Sequence, residues 1–238
     1  MKQLNNSKIF CLTYRIVCTI VAIIGVLMIA GVFNNNFKPT SLLFYTVQSN
    51  IVVIGMFLFL IYKTIAHKQD NNASKQYGFY PRVSSVISLD IFVTMLVFWF
   101  VLTPQMLVAG DTGAMLKFIF GFDNICVHLL TPLFMIFDYI FFNKRGTIKK
   151  YDSLYCIIFP YVYLLIVIPL GLAKAINYSS WGSESYYPYF FIDIDQFGWY
   201  VLPMVLVLTL FFIGIYVAWQ FIDRAIAKKE QKKVENKN

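Results

Sequence analysis

Charge is scarce in this sequence. Only 13% of its 238 residues are Asp, Glu, Lys or Arg, where a soluble domain carries about a quarter. Histidine is scarcer still, with two in the chain. His67 falls between apolar runs, which leaves His128 alone at depth and excludes a membrane-buried bis-histidine haem. The apolar runs hold too few acids for a di-metal site. The four cysteines, Cys11, Cys18, Cys126 and Cys156, have neither a disulfide-framework nor a zinc spacing. There is no HExxH, no GxSxG and no glycine-rich phosphate loop. No cofactor or metal is therefore expected. No internal repeat is evident, which counts against a repeat-built transporter. The basic residues come with no nucleic-acid motif, so no nucleic-acid partner is expected.

What fills the chain is apolar: 59% of residues are hydrophobic and the mean hydropathy is +0.66. A helix needs about 20 apolar residues to cross a hydrocarbon core of roughly 30 Å. Six runs qualify: Ile9 to Phe33, Ser41 to Ala66, Val83 to Val108, Phe118 to Phe142, Leu154 to Ile176 and Gly198 to Ile222. The runs predict an all-α polytopic membrane protein, with one six-helix domain over residues 1–222 and a basic tail over 223–238. They are too long and too evenly apolar for the alternating strands of a β-barrel. The first is also too long for a signal-peptide core, and "GVFNNN" is a poor cleavage site, so it reads as a retained helix.

The net charge of +8 alternates between the connecting segments. Lys2 and Lys8 precede the first run. Lys68, Lys75 and Arg82 lie between the second and third, and Lys144, Arg145, Lys149 and Lys150 between the fourth and fifth. Arg224, Lys228, Lys229, Lys232, Lys233 and Lys237 fill the tail. The other connections are poor in cations. The positive-inside rule then predicts that both termini are cytoplasmic, and the tail reads as a topology signal that also meets anionic lipid.

Hydrocarbon does not solvate polar side chains, so those inside the runs need partners. The second run opens "FYTVQSNIVV", with Thr46, Gln48, Ser49 and Asn50 close together. In the fourth, Asn124, His128, Thr131, Met135 and Asp138 step by 4, 3, 4 and 3, the seam of one packed helix face. Thr46 lies about 8 Å and His128 about 10 Å inside the same end of the bundle, from the helical rise. A second layer, Arg15, Asp90 and Asp138, is expected nearer the other end. Its bland reading, a buried cluster that fixes helix register, is preferred to a proton or ion path, because no series of acids links it to the outside.

Threonine becomes a nucleophile only beside a base, and neutral imidazole is the usual one near pH 7. Thr46 and His128 fit those roles. Asn124 could fix the imidazole tautomer, and Gln48, Asn50 or backbone N–H groups could hold an oxyanion. Ser49 is the rival nucleophile. The competing reading is that Thr46 and His128 satisfy each other as packing hydrogen bonds.

"YTVQSN", "HLLTPLFMIFDYIFF" and "YPYFFIDIDQFGW", in that order and placement, resemble the bacterial Pr6Pr group of six-helix membrane proteins. That group is similar to the FAR-17a and androgen-induced membrane proteins of animals. The resemblance implies an intramembrane hydrolase of fatty acid esters of hydroxy fatty acids, with Thr46 as nucleophile, His128 as base or acid, and a membrane lipid or acyl chain as substrate. The runner-up is a non-enzymatic membrane protein, either a small-solute transporter or a lipid-binding or sensing scaffold. Residue usage rich in Lys, Asn and Ile fits a low-GC bacterium, and together with the resemblance implies the cell membrane. The fifth connection, with Trp181, Tyr186, Tyr187, Tyr189, Trp199 and Tyr200, reads as interfacial anchoring or as a lid whose mouth Pro188, Asp193 and Asp195 would shape.

Overall fold

A computed structural model describes residues 7–67, 77–109, 111–178 and 185–235. Lys2, Lys68, Lys75, Trp181 and Lys237 lie outside them. The protein is 83% helical with no strand among the described residues, which decides for α over β. Six helices are long and apolar enough to cross a membrane: Lys8–Ile29, Tyr45–Ala66, Pro81–Val108, Phe122–Phe142, Tyr151–Leu172 and Ile194–Lys232. These first to sixth spans make the chain a multi-pass membrane protein by length and composition. Cross-links between their ends show that they alternate in direction. Lys8 at the start of the first span donates to the Ile65 carbonyl near the end of the second, at 2.8 Å. Arg82 at the start of the third bonds Asp152 at the start of the fifth. One end of the bundle therefore gathers the basic connections and the other the aromatic ones; they are called here the basic and aromatic ends.

Local chemistry sets several boundaries. The Ser7 side chain accepts from the Phe10 N–H and caps the first span. Pro81, whose fixed φ suits a first helical turn, opens the third. The run expected from Phe118 is broken instead: Asp111 caps a short helix, Thr112–Ile119, and the fourth span starts after Gly121. The sixth span contains an unbroken helix, Val201–Glu235, of 35 residues. At 1.5 Å per residue it is about 52 Å long, against about 30 Å of hydrocarbon. The basic segment beyond Ile222 thus continues this helix as far as Glu235.

The third and fourth spans are the most enclosed and the fifth and sixth the least. Each enclosed span contains a five-residue π-helical turn, Phe98–Leu102 and Cys126–Leu130. Both turns end on the leucine of the same tripeptide, Leu102-Thr103-Pro104 and Leu130-Thr131-Pro132. Proline has no N–H to give the carbonyl four residues back, and its ring crowds that carbonyl. The widened turn relieves the crowding: the Thr103 N–H bonds the Phe98 carbonyl and the Thr131 N–H the Cys126 carbonyl, both five residues back. Gly25 lets the first span close on the second of these turns. A Cβ there would sit 2.6 Å from the Cys126 Cβ.

Candidate functional site

The two π turns face each other toward the aromatic end. The His128 ring stacks on Phe98 with centroids 3.5 Å apart and planes 10° apart. Pro132 cannot donate to the His128 carbonyl, and the Trp99 indole N–H takes that place at 3.0 Å. The imidazole plane is thus fixed by a ring on one side and by its own tethered backbone. His128 is 7% exposed, and its Nδ1 has no hydrogen-bond partner among the described residues.

The head of the second span packs beside this turn. Asn50 makes the link: its amide donates to the Thr46 carbonyl at 2.8 Å and to the Val127 carbonyl at 3.1 Å. Thr46 and the residue before His128 are therefore held by one side chain. Among the described residues no hydrogen bond joins the Thr46 hydroxyl to the imidazole. Tyr189, from the fifth connection, meets Thr46 instead. The Thr46 N–H donates to the phenol oxygen at 3.4 Å. Burial pushes the Tyr189 phenol up to about 12, with the Thr46 hydrogen bonds opposing.

Thr46 and Tyr189 line a cavity of about 90 Å³. The remaining walls are mostly apolar. The third span gives Val97 and Leu102, the fifth Pro160 and Leu164, and the sixth Val205 and Leu208. Phe191 and Ile192 close it from the fifth connection. That connection is stapled internally by Asp193, which accepts from the Ser185 hydroxyl at 2.6 Å and from the Gln196 N–H at 2.9 Å. Gly171 admits the Tyr187 ring so closely that a Cβ would lie 2.2 Å from it. The aromatic loop is thus a docked cover over the cavity. Asp193 shapes it by holding the loop together.

Other polar residues of this region have local duties. The second span has no side-chain cap at Phe44. Gln48 donates to the Leu42 carbonyl at 3.2 Å, and Ser49 donates back to the Thr46 carbonyl at 3.0 Å. Asn124 donates to the Phe118 carbonyl at 2.8 Å and so ties the short preceding helix to the fourth span, with no bond to His128. The expected tautomer-fixing role thus has no contact behind it. Of the supporting residues, Asn50 alone touches both the Thr46 and His128 segments.

The charged layer divides. Arg15 and Asp138 form a bidentate pair, at 2.7 and 3.1 Å, both fully buried. Arg15 also reaches the Thr64 hydroxyl at 2.6 Å and the Tyr77 carbonyl at 2.9 Å. Asp90 stands apart from this pair and accepts a short hydrogen bond from the Tyr45 hydroxyl. The physical reason is rotation rather than depth: by the helical rise Arg15 is about 10 Å from the basic end, between Asp138 at about 6 Å and Asp90 at about 13 Å, and the third span turns the Asp90 carboxylate toward Tyr45. Asp90 therefore steadies the residue beside Thr46. The signals for Asp90, Phe98 and Trp99 were present in the sequence as a tyrosine before Thr46 and the twice-used Leu-Thr-Pro.

No protein-family model matches the chain, and no curated protein or solved structure matches it. The resemblance to the Pr6Pr group stands on its quoted motifs alone.

Proposed function

We propose that the protein is an intramembrane hydrolase of long-chain lipid esters, of the fatty acid ester of hydroxy fatty acid type. One observation carries the reading. Thr46 lines a largely apolar cavity, and Asn50 ties it to the turn that presents an immobilised imidazole whose Nδ1 has no partner among the described residues. In the reaction the Thr46 Oγ attacks the ester carbonyl while His128 accepts its proton. The C–O bond to the alcohol breaks, His128 returns the proton to that alcohol, and water then cleaves the acyl-threonine with the same base. The Thr46–His128 bond must form with substrate present, as catalytic hydrogen bonds often tighten only in the complex.

The test is turnover by purified protein of a panel of hydroxy-fatty-acid esters and simpler long-chain esters. Thr46→Ala and His128→Ala should each abolish turnover, and the double variant should be no worse, because parts of one catalytic unit are not additive. Full turnover without the Thr46 hydroxyl would remove the nucleophile assignment. A second reading, an acyl-binding scaffold without chemistry, draws on Thr46 meeting Tyr189 through its N–H while, among the described residues, no hydrogen bond joins its hydroxyl to His128. It gains if no ester is cleaved.

The proposed setting is a bacterial cell membrane, with both termini cytoplasmic and the cavity in the outer half, on the alternation of Lys and Arg among the connections. A cysteine at Asn34 should react with an impermeant thiol reagent on intact cells, and one at Lys144 should not, in a background without the four buried native thiols. The opposite pattern inverts the orientation.

A further inference from the structure

The fifth and sixth spans do not pack along their length. The fifth is held at the basic end, where its first turns meet the third and sixth spans, and at the aromatic end by the docked loop. Between those anchorages the cavity separates the two helices. Its walls grade outward. Tyr163, Ile192 and Phe212 are buried, Leu164 and Leu208 are half-buried, and Tyr161 is exposed. One polar contact crosses this seam among the described residues: the Tyr161 and Thr209 hydroxyls, 3.1 Å apart. Tyr161 is ten residues from the start of the fifth span, about 18 Å because the span opens as a 3-10 helix, and so near mid-membrane. The outward faces on either side, Leu165, Ile166, Leu206 and Leu210, are exposed apolar surface. In a bilayer the medium against them is hydrocarbon chain rather than water.

We infer that this seam is the binding site of a single lipid acyl chain, which passes sideways from the bilayer between the fifth and sixth spans and lies with its carbonyl end at Thr46 and Tyr189. The occupant follows from what surrounds and what ends the cavity. A solute from water would have to cross the cover formed by Tyr189, Phe191 and Ile192, and would meet mostly apolar walls on which the Tyr45, Thr94 and Thr209 hydroxyls already donate within the protein. A chain already in the membrane meets the seam directly, and its one polar end finds the two hydroxyls at the far wall. Tyr161 and Thr209 form the latch at the mouth. Thr209 also donates to the Val205 carbonyl at 2.8 Å, so opening the latch leaves its hydroxyl bonded. The site deepens the hydrolase reading by naming where its substrate lies, yet it depends on that reading only for the fate of the carbonyl.

The experiment uses the full chain in phosphatidylcholine vesicles with a long-chain fatty acid carrying a mid-chain diazirine. After illumination, cross-links are mapped by peptide mass spectrometry. They should concentrate on 160–164 and 205–212. Leu208→Trp fills the cavity and should lower that labelling by about tenfold, the effect of about 1.4 kcal/mol. Excess oleic acid added to the unaltered protein should suppress cross-links at the seam and spare those at Ile16 and Ile20, which are exposed on the first span. This competition arm needs no variant to fold. Labelling spread evenly over all lipid-facing helices, or indifferent to both oleic acid and Leu208→Trp, overturns the site. Seam labelling without turnover of any ester would remove the hydrolase and leave the site standing. Turnover without seam labelling would do the reverse.

Discussion

The Arg15 layer and the Thr46–His128 layer are both polar islands in an apolar bundle, and they are built on opposite terms. Around Arg15 every guanidinium nitrogen has an acceptor, supplied by Asp138, Thr64 and two backbone carbonyls. The helices there are regular. Around His128 both facing helices are wound into π turns, and His128 Nδ1, Thr131 Oγ1, Asn50 Oδ1 and the Tyr163 hydroxyl have no partner among the described residues. A buried polar group without a partner costs about 1 to 3 kcal/mol. The first layer has the character of a fastener. The second keeps unmet hydrogen-bonding capacity beside a cavity, and π turns themselves occur frequently at functional sites.

The comparison is broken most severely at the fastener. Arg15→Leu leaves Asp138 buried without its counter-charge and should destabilise the fold by about 3 to 5 kcal/mol, the usual effect of removing one partner of a buried ion pair. Thermal unfolding in detergent reads it. A loss under about 1 kcal/mol would mean that the pair is not what holds the first and fourth spans together.

A smaller effect is expected where the two layers come nearest. Tyr45→Phe removes the hydroxyl that satisfies Asp90 and should cost about 1 to 3 kcal/mol. Asp90→Asn keeps an acceptor for Tyr45 and should cost less. If Asp90→Asn proves the more harmful, the Asp90 charge has a partner beyond Tyr45. The smallest change is expected from Ser49→Ala. Its hydroxyl bonds only the carbonyl three residues back, so stability should fall by about 1 kcal/mol or less. Ester turnover should remain near that of the unaltered protein, and its loss would move the nucleophile from Thr46 to Ser49.

The two layers also differ in how far they could be read from residues alone. Six apolar runs announced six spans, because hydrophobic length is a property of sequence. The short helix Thr112–Ile119 and the continuation of the sixth helix to Glu235 escaped that reading, since each joins or divides segments that differ in polarity rather than in helical character. Depth counting put Arg15 near Asp138 and Thr46 near His128. It misplaced Asp90, because depth carries no information about rotation and the third span turns this carboxylate toward Tyr45. Helical spacing assumed 3.6 residues per turn through the fourth span, and the π turn at Cys126–Leu130 violates that assumption where the candidate base sits. The contacts of Gln48 and Asn124 were hidden for another reason. Both amides are taken by carbonyls of neighbouring connections, and loop geometry leaves little trace in a local pattern.

The paired π turns make chain length, as well as residue identity, part of what is inherited at this site. Each turn carries one residue more than an α-helix would need, and one residue is worth about 100° of rotation. Removing a single amino acid from Phe98–Leu102 or Cys126–Leu130 would restore regular winding and swing everything between that point and the nearby connection by about that angle. Deletion in Cys126–Leu130 would turn Asn124 away from Phe118, and deletion in Phe98–Leu102 would carry Met106 and Leu107 out of their packing. Point substitutions test these spans one contact at a time. A frame-preserving loss of one codon would act as a phase error, leaving composition and hydropathy almost unchanged while scrambling which face looks inward.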